Sequence, residues 1–275
     1  MGRRWPGSQA RGAQDSTTQY GQAPSAQDPA ASGVSRRRSR GLPGRGRRRP
    51  GRPALVLFDI DGTLFLTSDP LVGRATLDTI QEVWGLELPP DAIRKVDHPG
   101  QTAQRIARLV LEAAGVDDGN IDGGLPRWCE LVSGHYLELL DDFDTSYWQA
   151  APGAPETLQE LARRARIVLL TGNPEPIARA RMERLGLASF FPAGQGAFGC
   201  DAENRVDLIA IARMRAGDVP TGQTWAVGDT PRDVEGAHAA GIRCVGITLG
   251  RFGRDDLAGA DAVVERFPDL LRVLT

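Results

Sequence analysis

The sequence predicts an α/β fold: a parallel sheet with helices on both faces, interrupted once by a helical insertion. Three observations carry that expectation. Short apolar runs at Leu55-Val56-Leu57-Phe58, Ile167-Val168-Leu169-Leu170 and Trp225-Ala226-Val227 are bounded by turn residues, as in strands buried on both faces. Helical patterns separate the later runs, and strand–helix alternation implies parallel pairing. Between the first and second runs, about 80 residues carry helical spacing and nothing that reads as a strand.

Taken in order, the chain begins with a segment of different material. Residues 1–53 hold twelve arginines, no lysine and only Asp15 and Asp28 as acids, whereas the remainder holds 21 basic and 33 acidic residues. With almost no large aliphatics, this Arg-rich tail cannot bury enough apolar surface to offset its ordering entropy and is expected to be disordered. The run from Ser35 to Arg52 suits non-specific contact with nucleic acid or another anionic surface. It has no aromatic residue for stacking, which argues against sequence-specific RNA reading. A secretory signal is not expected, for lack of an apolar core segment; an organellar transit peptide, a solvated tail and a start placed too far upstream stay open.

Bulk composition is that of a globular protein, with 41% hydrophobic and 25% charged residues and no stretch approaching a membrane span. The three cysteines, Cys129, Cys200 and Cys244, are odd in number and widely spaced. They argue against a disulfide framework and against a cysteine zinc site, and suit a reducing, cytoplasmic location.

The first strand runs into Asp59-Ile60-Asp61-Gly62-Thr63 and a loop that leaves the sheet near Pro70. Val72, Ala75, Thr76, Ile80, Val83 and Trp84 recur at helical spacing until Gly85. A turn is expected near Asp91 to Val96. Ala103 to Ala114 reads as a second helix with Thr102 as N-cap and Gly115 as stop, and Trp128 to Leu140 as a third. Glu156 to Arg166 is the next helix. Helices are then expected at Pro176–Leu185, Val206–Ala216, Val234–Ala240 and Pro268–Val273. Phe190-Phe191 and Gly196-Ala197-Phe198 suggest a short strand region, Cys244–Ile247 a strand and Ala262–Val264 an edge strand. No internal repeat is present.

Chemistry concentrates at three strand ends: Asp59-Ile60-Asp61-Gly62-Thr63, Thr171-Gly172-Asn173 and Gly228-Asp229-Thr230-Pro231-Arg232-Asp233. In a parallel sheet these ends share one edge. Side chains two apart on an extended chain share a face, so Asp59 and Asp61 should project together. On its own, Asp-x-Asp-Gly is also a common acidic turn. Together the three ends gather four carboxylates, a hydroxyl and Gly-flanked amides. Clustered carboxylates without His or Cys favour a hard cation such as Mg²⁺, and amides with a Thr hydroxyl beside it suit a phosphate.

These motifs, in this order, resemble the haloacid dehalogenase superfamily of phosphatases and phosphotransferases over about residues 54–250. The resemblance implies a Rossmann-like core, at 54–68 and 149–275, and an α-helical cap at 69–148. It implies Asp59 as nucleophile and Asp61 as general acid, then base. Asp59, Asp229 and the backbone carbonyl of Asp61 would hold Mg²⁺, with Asp233 a ligand through water or orienting one. Thr171 and the amides of Gly172 and Asn173 would bind phosphate. An acid at position 61 favours phosphate over halide substrates.

One departure stands out. The family places a lysine in its third motif, but Lys95 is the only lysine of the chain and lies in the helical insertion. Arg205, after Gly199-Cys200-Asp201-Ala202-Glu203-Asn204, is the expected substitute, since it is permanently charged and can fork onto phosphate oxygens; an exposed helix-start residue is the alternative. His98 sits in a loop that could face a substrate or solvent. His135 and His238 read as packing or surface residues, and Arg74 and Arg105 could reach a substrate anion from the insertion, solvated helix faces being the usual reading. Trp84, Trp128 and Trp148 read as the insertion's own core.

The expected activity is Mg²⁺-dependent hydrolysis of a small phosphomonoester, phosphoglycolate being one candidate. A sugar phosphomutase of the same superfamily is the alternative enzyme. A non-catalytic protein using its tail on nucleic acid is the alternative outside enzymes, and four clustered acids argue against it.

Overall fold

The computed structural model describes residues 52–275. The tail, with its expected disorder and nucleic-acid contact, lies almost wholly outside the described residues. Five strands, β1 Leu55–Phe58, β2 Arg166–Leu169, β3 Thr224–Gly228, β4 Arg243–Ile247 and β5 Ala262–Val264, form one sheet in the order β2-β1-β3-β4-β5. All neighbouring pairs are parallel.

The interior strand β1, between β2 and β3, is apolar throughout because both its faces are covered. Val56 and Phe58 pack on one side with Leu158 and Leu161 of α4 (Ala154–Ala162), Ile177 and Met182 of α5 (Glu175–Arg184), and Leu270 of α8 (Leu270–Leu274). Leu55 and Leu57 pack on the other with Leu208 and Ile209 of α6 (Arg205–Arg215) and Val234 and Ala237 of α7 (Pro231–Ala239). The register pairs Phe58 with both Leu169 and Val227. The loops after β1, β2 and β3 therefore leave the sheet side by side.

Between β1 and β2 come α1 (Pro70–Trp84), α2 (Ala103–Ala113) and α3 (Asp118–Asp141), packed around Ile80, Val110, Leu111, Ile121, Trp128 and Val132. Each has a side-chain N-cap: Asp69 accepts from Leu71 N, Thr102 from Arg105 N and Asp117 from Asn120 N. No helix among the described residues is long and apolar enough to cross a membrane.

Several sequence expectations need correction. α3 starts ten residues before Trp128, through Gly119, Gly123, Gly124 and Pro126, residues that weaken any helical reading. Gly124 is there for space, since a Cβ would stand 2.4 Å from the Trp84 ring. The helix expected to reach Arg166 stops at Ala162, because Arg166 pairs with Leu55 as the first residue of β2. Ala188–Phe190 is a 3-10 turn rather than strand, and only Ala197 makes a bridge, to Leu170. Trp148 packs on Phe65 at 4.9 Å, within the core beside the sheet rather than with the other insertion tryptophans.

The cysteine reading is also overturned: Cys129 of α3 and Cys200 are joined in a disulfide, leaving Cys244 buried and free. Spacing could not reveal the pair, since only the folding of the insertion back onto the core brings them together. The bridge spans a sequence separation of 71, for which chain entropy alone gives about 4 kcal/mol. Reduction, or Cys200→Ser, is expected to lower the thermal midpoint by roughly 10 °C. Paired calorimetric scans with and without reductant check this, and unchanged midpoints would show that the bridge constrains nothing.

Candidate active site

At the end of β1 the ladder continues one residue, with Asp59 N donating to Val227 O. The chain then turns sharply. Ile60 O accepts from the amides of Thr63, Leu64 and Phe65, and Gly62 adopts φ 76°. Asp59 points into the protein and is buried, while the Asp61 side chain is 56% exposed. The two acids therefore reach different partners.

At the end of β3, Asp229 is buried and Asp233 forms a capping box with Thr230. Asp233 Oδ2 accepts from Thr230 N at 3.0 Å and Thr230 Oγ1 at 2.7 Å. A Cβ on Gly228 would lie 2.2 Å from Asp233 Cγ, so glycine is what lets this carboxylate fold back over the strand end. Asp229 is wedged between two more glycines: a Cβ on Gly62 would stand 2.2 Å, and one on Gly250 1.9 Å, from Asp229 Oδ2.

Asp59, Asp229 and Asp233 each offer an oxygen within 4.8 Å of the others. Burial, reinforced by the Asp233 charge, pushes the Asp59 carboxyl well above its ordinary range. Burial, then Asp233 and Asp61, push Asp229 up to about 7. Asp229 Oδ1 is buried with no hydrogen-bond partner among the described residues. A buried, crowded set of hard oxygen donors with one orphaned oxygen fits a divalent cation.

Arg205 opens α6 with its side chain buried, as the substitution for lysine requires. Its Nη2 lies 3.1 Å from Asp59 Oδ1 and also pairs with Asp233 Oδ1. Burial works against its charge, but Asp233 and Asp59 overcome that and hold it ionised. Gly236 of α7 gives the side chain room, since a Cβ there would stand 3.0 Å from Arg205 Cβ.

Thr171, fully buried, accepts from both the amide and Nδ2 of Asn173. Asn173 Nδ2 also donates to Asp61 Oδ2 at 2.6 Å, so this side chain serves the exposed acid. The loop Asp97–Thr102 docks onto these residues. Ala103 N donates to Gly172 O, Arg205 Nη1 to Gly100 O, and Arg232 holds Pro99 O and the Asp97 carboxylate. A Cβ on Gly172 would lie 2.2 Å from Gln101 O.

All eight sequence-predicted residues (Asp59, Asp61, Thr171, Gly172, Asn173, Arg205, Asp229, Asp233) thus lie along one sheet edge, where Arg205 links Asp59 to Asp233, Asn173 links Asp61 to Thr171, and Asp229 lies within 4.8 Å of Asp59 and Asp233. The weaker candidates do not join them by direct contact. His135 bonds Thr79 and Glu82, His238 pairs with Asp261, Arg74 with Asp78 and Arg105 with Glu112. His98 is half-buried in the docking loop, and burial together with Arg251 holds its imidazole below the usual range.

Sequence reading missed Gly250 and Arg181. Gly250 carried no motif. Arg181 left a trace: α5 buries Ile177, Ala178, Arg181 and Met182, so an arginine occupies the apolar stripe. Gly250→Ala is expected to displace Asp229 from the carboxylate cluster and to weaken divalent-cation binding there at least about tenfold. Calorimetric titration with Mg²⁺ as the probe checks this, and unaltered affinity would show that Asp229 has room to move.

Comparison with known proteins follows the same direction. Residues 53–241 match the family model described as haloacid dehalogenase-like hydrolase. The chain is 30% identical over 213 residues to a phosphoglycolate phosphatase of Pseudomonas fluorescens, covering 72% of this chain and 70% of that one. It is 28% identical over 225 residues to the phosphoglycolate phosphatase of Caulobacter vibrioides, covering 79% and 89%. Among solved structures, CbbY from Rhodobacter sphaeroides in complex with phosphate superposes with TM-score 0.58 at 19% identity, covering 79% of this chain and 96% of that one. At that identity the structural likeness shows the fold alone.

Proposed function

The chain belongs to the haloacid dehalogenase-like hydrolases, and from that premise we propose that it is a Mg²⁺-dependent phosphatase acting on a small phosphomonoester through an aspartyl-phosphate on Asp59. The observation that carries the reading is the pairing of two unlike acids. Buried Asp59 lies against Arg205 and beside two further carboxylates, while Asp61 is exposed and bonds Asn173 and Arg181 instead.

In the first step, Asp59 attacks phosphorus as the ester P–O bond breaks, and Asp61 delivers a proton to the departing oxygen. In the second, Asp61 takes a proton from water, the water oxygen bonds to phosphorus, and the acyl phosphate opens to restore the Asp59 carboxylate. The Thr171 hydroxyl and the amides of Gly172 and Asn173 bind the phosphoryl oxygens. Arg205 balances charge on Asp59 and the transferring group. Asp59, Asp229 and the Asp61 carbonyl would hold Mg²⁺. Asp233, with both oxygens taken by Thr230 and Arg205, would orient rather than ligate directly. The metal would supply charge neutralisation at the phosphoryl oxygens.

Residues 69–148 act in this reading as a cap, with Asp97–Thr102 as the part that reaches the site. A cap of that size admits small metabolites and excludes folded polymers. Phosphoglycolate is the first substrate to try, because the curated relatives carry that name.

A panel of alkyl phosphomonoesters, 2-phosphoglycolate among them, assayed with Mg²⁺ and with excess chelator, tests the proposal. Net phosphate release that vanishes with chelator is expected. No release from any ester would overturn the phosphatase reading, and transfer to a sugar phosphate without net release would make the protein a mutase.

A further inference from the structure

Arg181 is a buried cation beside the site that the mechanism above leaves unused. Its side chain is 2% exposed, beneath the strand end that carries Asp61. Nη1 lies 3.0 and 3.3 Å from the two Asp61 oxygens and 3.2 Å from Asn173 Oδ1. Nε and Nη2 lie 3.0 and 2.7 Å from Asp69 Oδ2. The guanidinium carbon sits 5.2 Å from the Phe65 ring centre and 6.0 Å from that of Tyr136.

A guanidinium is a rigid planar fork. Here Asp69 fixes two of its nitrogens and two aromatic rings flank it, so the direction of the third is determined. Asp69 is itself pinned, its side chain 1% exposed: Oδ1 caps α1 through Leu71 N, and Oδ2 also accepts from the Tyr136 hydroxyl of α3 at 2.8 Å. The third nitrogen points at Asp61. By contrast, Asp61 is an open carboxylate that would sample several rotamers if left to solvent.

We propose that Arg181 is a positioning residue for Asp61: it holds that carboxyl at the angle from which it exchanges a proton with the leaving oxygen, and ties the angle to the first turn of α1 through Asp69. This rests on the reading of Asp61 as the acid and base. Arg181 touches no reacting atom. Its two pairings also stabilise the fold, as any buried ion pair does when the alternative is a stranded charge, so the test must read something that stability does not move.

Leaving-group dependence is such a readout. An alkoxide needs a proton as it departs, whereas p-nitrophenolate departs without one, so loss of a well-placed acid lowers kcat/KM for an alkyl ester far more than for p-nitrophenyl phosphate. The alkyl-to-aryl ratio, measured on one preparation, is independent of the fraction folded. With the best alkyl substrate of the panel, Asp61→Asn is expected to lower this ratio about 100-fold and Arg181→Gln about tenfold. Arg181→Lys, which keeps the charge but not the fork, should fall between Arg181→Gln and wild type. In an Asp61→Asn background, Arg181→Gln should change the ratio no further.

If Asp61→Asn lowers the ratio and neither Arg181 variant does, the positioning role is refuted while the acid reading stands. If Asp61→Asn leaves the ratio unchanged, the acid reading falls and takes the positioning role with it. Should Arg181→Gln fail to fold, Arg181→Lys decides alone, since it keeps a positive charge beside the buried Asp69.

Discussion

Asp59→Asn is expected to abolish phosphate release, with kcat at least about 10³-fold below wild type, while leaving the protein folded and no less stable. The amide keeps the shape of the carboxylate and can still accept from Arg205 Nη2, now 3.1 Å from Asp59 Oδ1. What it lacks is a nucleophilic oxygen. The stability half follows from electrostatics. Asp59 is buried against Asp229 and Asp233, and its carboxyl is pushed well above the ordinary range by burial first and Asp233 second. Replacing it with a neutral group removes both penalties, so the metal-free variant should melt no lower than wild type. Phosphate assay and calorimetry on one sample check both halves. Appreciable turnover would place the nucleophile elsewhere. Lost turnover together with collapsed stability would make Asp59 a structural residue first.

Much of that site was legible because its residues announce themselves by where apolar runs stop. Phe58, Leu170 and Val227 end three apolar runs, and the polar residues just after each had to share an edge once the strands were parallel. Arg205 was legible only through the resemblance, which expects a cation in that segment where the chain has no lysine. The missing parts are those held by tertiary approach. Gly250 matters only because Asp229 Oδ2 presses on it, and nothing local in Leu249-Gly250-Arg251 says so. The Cys129–Cys200 bridge joins the insertion to the core, a relation invisible to spacing. The early start of α3 was hidden by three glycines and a proline, one glycine serving Trp84 rather than the helix. Arg181 sat in plain view on an apolar stripe, but a lone arginine in such a stripe is usually at its edge, and only Asp61 and Asp69 on other segments explain its burial.

The second large effect concerns Arg205. Arg205→Met removes the charge while keeping much of the volume, and kcat is expected to fall about 100-fold with an accompanying loss of about 3–5 kcal/mol in stability. Both numbers come from the same geometry. The Arg205 Nη2 group lies between Asp59 Oδ1 and Asp233 Oδ1, and without it three buried carboxylates face one another with no cation from the protein. Adding Mg²⁺ should therefore raise the thermal midpoint of Arg205→Met more than that of wild type, because a bound cation then relieves repulsion that the arginine otherwise offsets. Arg205→Lys separates charge from shape. An ammonium at this position restores the cation the family ordinarily carries, but as a single point on a shorter stem, so it should recover most of the stability and bring kcat to within about tenfold of wild type. Steady-state rates and melting curves with and without Mg²⁺ on the two variants decide the matter. If the methionine variant turns over like wild type, the charge beside Asp59 belongs to folding and not to phosphoryl transfer. If lysine restores stability but not rate, the fork itself, and not merely its charge, is what the transferring phosphoryl group meets.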